Sequence, residues 1–177
     1  FQAFYPGPGL GGHCIPLDPY YLTWKAREYG FHTSMIEASM MINDKMPEYC
    51  VDRAAKVLNR VKKALNGSKV LVLGVAYKAD IDDYRESPAI DVIEILQREG
   101  ANVDFFDPYI PKFRAHGKEY VGIADISPEV ISSYDIVFVA AAHTNVDYDM
   151  IEQNAQAIFD SKNAMKDVKN REKIEVL

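Results

Sequence analysis

The order of strands and helices in this chain is decided by residues 69–106, which read KVLVLGVAYKADIDDYRESPAIDVIEILQREGANVDFF. Lys69–Val75 is a short, β-branched run that predicts a strand, and Asn102–Phe106 predicts a second strand. Between the two, the pair Ser87-Pro88 is typical of a helix start, and Gly100 is typical of the residue after a helix end. A strand, a helix and a strand in this order predict a βαβ unit with parallel strands.

The same alternation continues downstream. Pro128–Ser133 predicts a short helix before the most apolar strand, Asp135–Ala141, and Tyr148–Asn154 predicts a helix before a candidate strand at Ala157–Asp160. Lys173–Leu177 is a candidate edge strand. The chain is therefore predicted to be an α/β protein with a Rossmann-like parallel sheet, in which ligands lie at the carboxyl ends of the strands.

The residues upstream of the sheet predict helices. The first helix is expected to have Asp18 as its N-cap and Pro19 in its first turn, and to end at Gly30. From Ser34 to Ala64, apolar residues recur at a spacing of three to four, which indicates one long helix or two collinear helices with a break at Pro47. A stripe of this length is expected to pack on another domain or another subunit.

These patterns divide the chain in two: residues 1–66 are expected to form a loop and a helical segment, and residues 67–177 the sheet domain. A hydrophobic content of 48% is enough for a core, while a formal net charge of −6 gives no general attraction for nucleic acid or acidic lipid. No apolar stretch approaches the length of a membrane span, and no segment resembles a signal peptide. We therefore expect a cytoplasmic protein without membrane or nucleic-acid partners.

The densest group of unusual residues is the loop Gly9-Leu-Gly-Gly-His-Cys14-Ile-Pro-Leu-Asp18. Its glycines let the backbone approach a ligand, and a thiol just ahead of a helix start is favoured as a nucleophile. The residues alone leave alternatives open: Cys14 is a nucleophile or an inert buried thiol, and Asp18 is a helix cap or a proton-transfer group. His13 has no second pair of ligands at a suitable spacing, so we predict no metal site.

A second group of residues follows the first predicted strand, from Gly74-Val-Ala-Tyr-Lys78 to Arg85. The G-x-G-x-x-G spacing is absent, so a dinucleotide site is not expected here. Lys78 and Arg85 place two cations where a nucleotide phosphate would be held, and a solvated charged loop is the alternative. Cys50 lies in a helical pattern and is expected in the core.

Several stretches resemble the UDP-glucose/GDP-mannose dehydrogenase family. Pro6–Pro19 is similar to the family's catalytic-cysteine signature, and Gly74–Lys78, Arg85–Pro88 and Phe106–Tyr109 are similar to parts of its C-terminal domain. The resemblance extends from the cysteine loop to the last helix and strand, in the expected order. Within the family, the loop looks most like that of the bacterial UDP-N-acetylglucosamine 6-dehydrogenases, with the UDP-N-acetylmannosamine dehydrogenases close behind.

This resemblance implies an NAD-dependent enzyme of three parts, of which the N-terminal NAD-binding domain would lie upstream of this chain. It also implies a UDP-sugar substrate and a homodimer formed through the central helix. The implied reaction is a two-step oxidation of the sugar C6 alcohol by two molecules of NAD, through a thiohemiacetal and then a thioester on Cys14. Asp18 matches the family aspartate that assists proton transfer or orients water.

Further residues match binding positions of the family. Those matching substrate contacts are Tyr5, Leu10, Gly11, Tyr77 and Lys78, and the one matching a residue near the cofactor is Arg85. Lys162 stands where many members have an arginine, and a lysine cannot make the two-pronged hydrogen bond of a guanidinium. The resemblance therefore leaves the role of Lys162 open.

Overall fold

The computed structural model describes residues 3–177. The helices and strands within this range are, in chain order, α1 (Asp18–Glu28), α2 (Ser34–Asp44), α3 (Met46–Arg60), β1 (Lys69–Leu73), α4 (Pro88–Arg98), β2 (Asn102–Phe106), β3 (Lys112–Ala115), β4 (Lys118–Val121), α5 (Pro128–Ser132), β5 (Ile136–Val139), α6 (Tyr148–Asn154), β6 (Ile158–Asp160) and β7 (Ile174–Val176).

The main sheet is parallel, with the strand order β2-β1-β5-β6-β7. Because successive side chains of a strand point to opposite faces, β1 contributes to two cores. Val70 and Val72 pack in the core that includes α3 and α4, whereas Leu71 and Leu73 pack in the core that includes α5 and α6. The fold is therefore α/β and Rossmann-like, as the alternation of predicted strands and helices indicated.

The apolar stripe of residues 34–64 is divided between α2 and α3, with Lys45 between them. α3 packs against α4 and the sheet and buries a row of residues, among them Cys50, Val51, Ala54, Val57 and Leu58. The part of the stripe that lies in α3 is therefore covered by the sheet of the same chain. The core that α3 shares with the sheet includes residues on both sides of residue 66.

α2 differs from α3 in that it buries none of its residues. Met35, Met41 and Ile42 are all exposed, and the neighbouring α1 exposes Trp24. This apolar surface of α1 and α2 is the part of the helical segment that the chain itself does not cover.

Asp18 is the first residue of α1 and not its N-cap, so that part of the sequence prediction is wrong. Leu17 occupies the N-cap position, and none of the described side chains caps the helix. The chain already turns ahead of residue 18, because the carbonyl of Cys14 accepts the amides of Leu17 and Asp18. Ser87, in contrast, caps α4 as predicted by accepting a hydrogen bond from the Ala89 amide.

β3 and β4 form an antiparallel hairpin that the sequence reasoning did not predict. Its turn contains His116 and Gly117, which both have positive φ, the conformation that suits a tight hairpin turn. The ring of Phe113 stacks on that of Tyr120 with 4.7 Å between centroids. This contact fixes the hairpin on the core, since Phe113 is itself buried there.

The candidate edge strand at the end of the chain is confirmed as β7, which pairs with β6. Glu175 of β7 accepts hydrogen bonds from Arg53 and, at 2.8 Å, from Arg60. Since both arginines belong to α3, this ion-pair group ties the edge of the sheet to the helix that covers it.

None of the helices in residues 3–177 is both long enough and apolar enough to cross a lipid bilayer.

Candidate active site

The cysteine loop ends in a turn ahead of α1. The backbone carbonyl of Cys14 accepts the N–H groups of Leu17 at 3.2 Å and of Asp18 at 2.8 Å. Cys14 and Asp18 are therefore one helical turn apart, and both are exposed. This exposure excludes the buried-thiol alternative for Cys14, and the carboxylate of Asp18 is not used to cap α1.

Glycines allow the loop to pack directly on the segment that follows β1. The Gly12 amide donates to the carbonyl of Arg85 at 3.1 Å. A Cβ atom on Gly11 would lie 2.5 Å from Cβ of Tyr77 and 2.7 Å from the carbonyl oxygen of Glu86, so no larger residue fits without a shift. The structure thus brings Gly11 and Tyr77, two of the predicted substrate residues, into direct contact.

A cavity of about 670 Å³ lies between the cysteine loop, the end of α2, the start of α4 and the hairpin. Leu10, Asn43, Arg85 and Arg114 are among the residues that line it, whereas Tyr5, which is 81% exposed, is not. Asn43 is a residue that the sequence reasoning missed. Its side-chain oxygen accepts the Leu10 amide at 2.9 Å and so ties the cysteine loop to α2. Inside a helical pattern, an asparagine gives no signal of such a role.

Arg85 is held by the acidic residue two positions before it. Its guanidinium forms an ion pair with Asp83, with 2.6 Å between Nη2 and Oδ2 and 3.0 Å between Nε and Oδ1. Hydrogen bonding from the Arg85 side chain lowers the pKa of Asp83 to about 2. The guanidinium of Arg85 is thereby oriented, and it remains largely exposed beside the cavity.

Two lysines lie on loops at the carboxyl edge of the sheet. Lys78 is exposed on the loop after β1, and Lys162 follows β6 and is half-buried. A Cβ atom on Gly7 would lie 2.6 Å from Nζ of Lys162, so this ammonium reaches the cysteine loop. Burial lowers the pKa of Lys162, and within residues 3–177 its Nζ makes no hydrogen bond or ion pair. A half-buried ammonium without a partner among the described residues is suited to bind an anionic ligand.

Asp107 and His143 join three loops at the same edge, and neither was singled out from the sequence as a site residue. The Oδ2 atom of Asp107 accepts the amides of Val75 at 2.7 Å and Ala76 at 3.0 Å, and lies 3.0 Å from Nε2 of His143. Nδ1 of His143 accepts the amide of Asp80 at 3.0 Å. The pKa of Asp107 is lowered: burial opposes its ionisation, but the bonds from His143 and the backbone amides outweigh that effect.

Gly74, the glycine after β1, packs directly against another part of the chain. Gly74 has a φ of 83°, and a Cβ atom there would lie 2.5 Å from Cβ of Ala141 and 2.9 Å from its amide nitrogen. The glycine after β1 therefore serves the close approach of the loop to the end of β5, and not the approach of a cofactor. Residues 3–177 also contain no cluster of three His, Cys, Asp or Glu side chains that could hold a metal ion.

The cysteine loop and two lysines lie at the carboxyl edge of a parallel α/β sheet, the edge at which sheets of this class bind ligands. Comparison with known families identifies the chain further. The model of the UDP-glucose/GDP-mannose dehydrogenase UDP-binding domain matches residues 71–167, and that of the central domain matches residues 1–45. The chain belongs to the UDP-glucose/GDP-mannose dehydrogenase family, as its motifs suggested.

Individual relatives support this assignment. The chain is 32% identical over 169 residues to a UDP-N-acetyl-D-glucosamine 6-dehydrogenase of Pseudomonas aeruginosa, covering 96% of this chain and 39% of the relative. It is 39% identical over 145 residues to an enzyme of the same name from Salmonella typhi, covering 81% and 33%. A UDP-D-ManNAc dehydrogenase structure from Pyrococcus horikoshii superposes with a TM-score of 0.81 at 27% identity, covering 99% of this chain and 40% of that one. The chain thus spans about two fifths of the length of these relatives.

Proposed function

We propose that this chain is the part of an NAD-dependent UDP-N-acetylhexosamine 6-dehydrogenase that binds the nucleotide sugar and carries the catalytic cysteine. The observation on which the proposal rests is the packing of the cysteine loop on the carboxyl edge of a UDP-binding sheet, through Gly11 and Tyr77. UDP-N-acetylglucosamine is the proposed substrate, because relatives of that activity match the chain. UDP-N-acetylmannosamine and UDP-glucose are the alternatives.

Lys78 and Lys162 are proposed to hold the anionic part of the substrate. Both lie at the edge where parallel sheets bind ligands, and Lys162 has a half-buried ammonium without a protein partner in the described chain. Lys162 would act as a point charge, for which the two-pronged geometry of an arginine is not required. Tyr5, Leu10 and Gly11 of the loop are proposed to enclose the sugar, with Tyr77 beneath them.

Cys14 is proposed to act as the nucleophile toward the C6 aldehyde of the sugar. Its sulfur adds to the carbonyl carbon, and the carbonyl oxygen takes up the proton, which gives a thiohemiacetal. After oxidation of this adduct to a thioester, water attacks the acyl carbon and releases the uronic acid and the free thiol. Asp18, one turn away and not engaged in capping, is placed to assist the proton transfers.

Two molecules of NAD, bound in turn, would each accept one of the two hydrides, and we propose that another domain of the whole protein holds the cofactor. Gly74, the glycine after β1, packs against Ala141, and Arg85 is the one residue of the chain that we propose to reach the cofactor. A calorimetric titration of the chain with NAD is therefore expected to give little heat. Tight NAD binding would contradict this assignment of domains.

The experiment that tests the proposed function is a titration of the chain with UDP, followed by an assay of the whole protein with NAD and a panel of UDP-hexoses. We expect UDP to bind, and turnover to be highest with a UDP-N-acetylhexosamine. UDP binding without any NAD reduction would favour the other candidate, a nucleotide-sugar-binding and dimerisation module without a redox role. Absence of UDP binding would contradict both functions.

A further inference from the structure

His143 and Asp107 hold both ends of the segment that carries Tyr77 and Lys78. At the near end, the Asp107 carboxylate accepts the Val75 and Ala76 amides. At the far end, His143 accepts the amide of Asp80. We propose that His143 is a positioning residue, which fixes this loop so that Lys78 is presented to the nucleotide sugar; this inference rests on the proposed function.

The hydrogen bonds assign the protonation state of the ring. Nδ1 of His143 faces the Asp80 N–H group at 3.0 Å and must accept there, so this nitrogen carries no proton. Nε2 faces the carboxylate of Asp107 at 3.0 Å and must donate. His143 is thus a neutral imidazole that bridges a buried carboxylate and the backbone of the loop, and it is only 1% exposed.

Asp80 shows that the far end of the loop needs such an anchor. Its φ is 61°, in the left-handed region that costs free energy for a residue with a side chain. Two contacts with the loop after β5 hold it there: its amide donates to His143, and its Oδ1 atom accepts the Thr144 amide at 2.8 Å. Strained backbone of this kind persists where the surroundings determine it.

The anchored segment also contacts other parts of the candidate site. Tyr77 touches Gly11 of the cysteine loop, and the Tyr77 amide donates to the carbonyl of Asp83 at 3.0 Å. Lys78 lies between Tyr77 and the anchored Asp80. If His143 releases the Asp80 amide, the far end of the segment keeps only the contact between Asp80 and the Thr144 amide, and the Lys78 ammonium loses a defined position without any loss of charge.

The test uses two substitutions that each replace one ring nitrogen. In His143→Asn the side-chain oxygen can occupy the Nδ1 position and accept the Asp80 amide, whereas His143→Gln can replace only the donor toward Asp107. Amide hydrogen exchange of residues 77–80 and the affinity for UDP are measured for both variants and for His143→Ala. We expect faster amide exchange and roughly tenfold weaker UDP binding in the Ala and Gln variants. A tenfold loss of affinity corresponds to the loss of one hydrogen bond to a charged ligand. The Asn variant is expected to recover both the slow exchange and the UDP affinity.

Two controls separate positioning from general destabilisation. Tyr134→Phe removes a hydrogen bond to Asp104 elsewhere in the sheet domain and is expected to leave both measurements unchanged. In a Lys78→Ala background, His143→Ala is expected to cause no further loss of UDP affinity, because the two residues act through one contact. Unchanged exchange at residues 77–80 in His143→Ala, equal losses in the Asn and Gln variants, or additive effects with Lys78→Ala would overturn the proposal.

The failure of the proposed function can be distinguished from the failure of the proposed role of His143. A wild-type chain that binds no UDP contradicts that function, while the exchange of residues 77–80 still decides whether His143 holds the loop.

Discussion

The side chain of Cys14 is exposed one helical turn from Asp18, whereas the side chain of Cys50 is enclosed in the core. Burial raises the pKa of Cys50 to about 12, so this second thiol is unsuited to nucleophilic chemistry. The two cysteines therefore differ in exposure and reactivity, which allows each to serve as a control for the other.

Replacement of Cys14 by Ser in the whole protein is expected to abolish formation of the uronic acid, since a hydroxyl is a far weaker nucleophile than a thiolate. UDP-sugar binding, measured by calorimetry, is expected to stay within about threefold of the wild type, because the thiol is not a binding group for the nucleotide. Cys50→Ala is the matched control and is expected to retain turnover. Near-normal uronic acid formation by Cys14→Ser would contradict the assignment.

Gly74 and Gly117 form a matched pair for a second prediction at this scale. Both have positive φ, 83° and 79°, but only Gly74 lies against another part of the chain. Gly117→Ala is expected to cost about 1–2 kcal/mol in the free energy of unfolding, the strain of a left-handed residue. Gly74→Ala adds a clash with Ala141 and is expected to cost at least about 2 kcal/mol more. Chemical denaturation of both variants measures the difference. Equal losses in the free energy of unfolding would show that the loop after β1 shifts to accommodate the added methyl group.

The candidate site residues that the sequence singled out belong to dense local motifs. The glycines around Cys14 and the cations after β1 are of this kind. Asn43 and His143 are not, because each acts through a long-range contact with a backbone amide, and an isolated asparagine or histidine carries no sequence signal for such a contact. Asp18 was assigned wrongly as a cap, because the turn made by the Cys14 carbonyl cannot be read from residue types.

At the scale of helices and strands, apolar periodicity was sufficient for the parallel sheet and most of its helices. The central strands β1, β5 and β6 are largely buried on both faces, so they appear as nearly continuous apolar runs, whereas the edge strands β2 and β7 include polar residues. The β3–β4 hairpin was missed because its strands are half-polar, with charged residues such as Lys112 and Glu119 along them. Its turn at His116-Gly117 is the one local signal that could have revealed it.

The attachment of β7 to α3 provides a prediction for these elements. Glu175 is mostly buried between Arg53 and Arg60, so Glu175→Gln is expected to lower the free energy of unfolding by about 1 kcal/mol near neutral pH. Hydrogen bonding from Arg60 lowers the pKa of Glu175, so its stabilising effect is present above the unfolded value near 4.3 and is lost as the pH falls below it. Denaturation curves of the wild type and the variant are therefore expected to converge toward pH 3.

Glu119 is the matched control for this experiment. It lies 3.5 Å from Arg114 and 4.0 Å from Lys112, but on the exposed hairpin. Glu119→Gln is expected to change the stability by less than about 0.5 kcal/mol, as is usual for exposed ion pairs. A larger loss in Glu119→Gln than in Glu175→Gln would show that β7 is not anchored by α3.

At the scale of the whole molecule, the two halves of the chain differ in how they treat apolar residues. The sheet domain encloses them in two cores, whereas α1 and α2 leave Trp24, Met35, Met41 and Ile42 between 62% and 85% exposed. Several exposed large apolar side chains on neighbouring helices are typical of a surface that contacts another domain or molecule. The sequence could not distinguish the exposed apolar residues of α2 from those that α3 buries, because the apolar residues of both helices recur at the same spacing.

We expect the chain to form a dimer at micromolar concentration through α1 and α2, since association covers this surface. The charged double substitution Met41→Lys with Ile42→Lys is expected to give a monomer in sedimentation velocity experiments. Val121→Lys, at a residue that is 71% exposed on β4, is the control and is expected to leave the dimer intact. A wild-type chain that sediments as a monomer would contradict the proposed homodimer.

The contrast between the two thiols also makes the molecule convenient to label. A maleimide or a disulfide reagent has one accessible target, Cys14, and is expected to attach a single reporter per chain under native conditions. A fluorophore at that position would be attached to the cysteine loop itself, whose glycines pack on Tyr77. Its emission would therefore report, in real time, a change in the surroundings of the loop when a nucleotide binds.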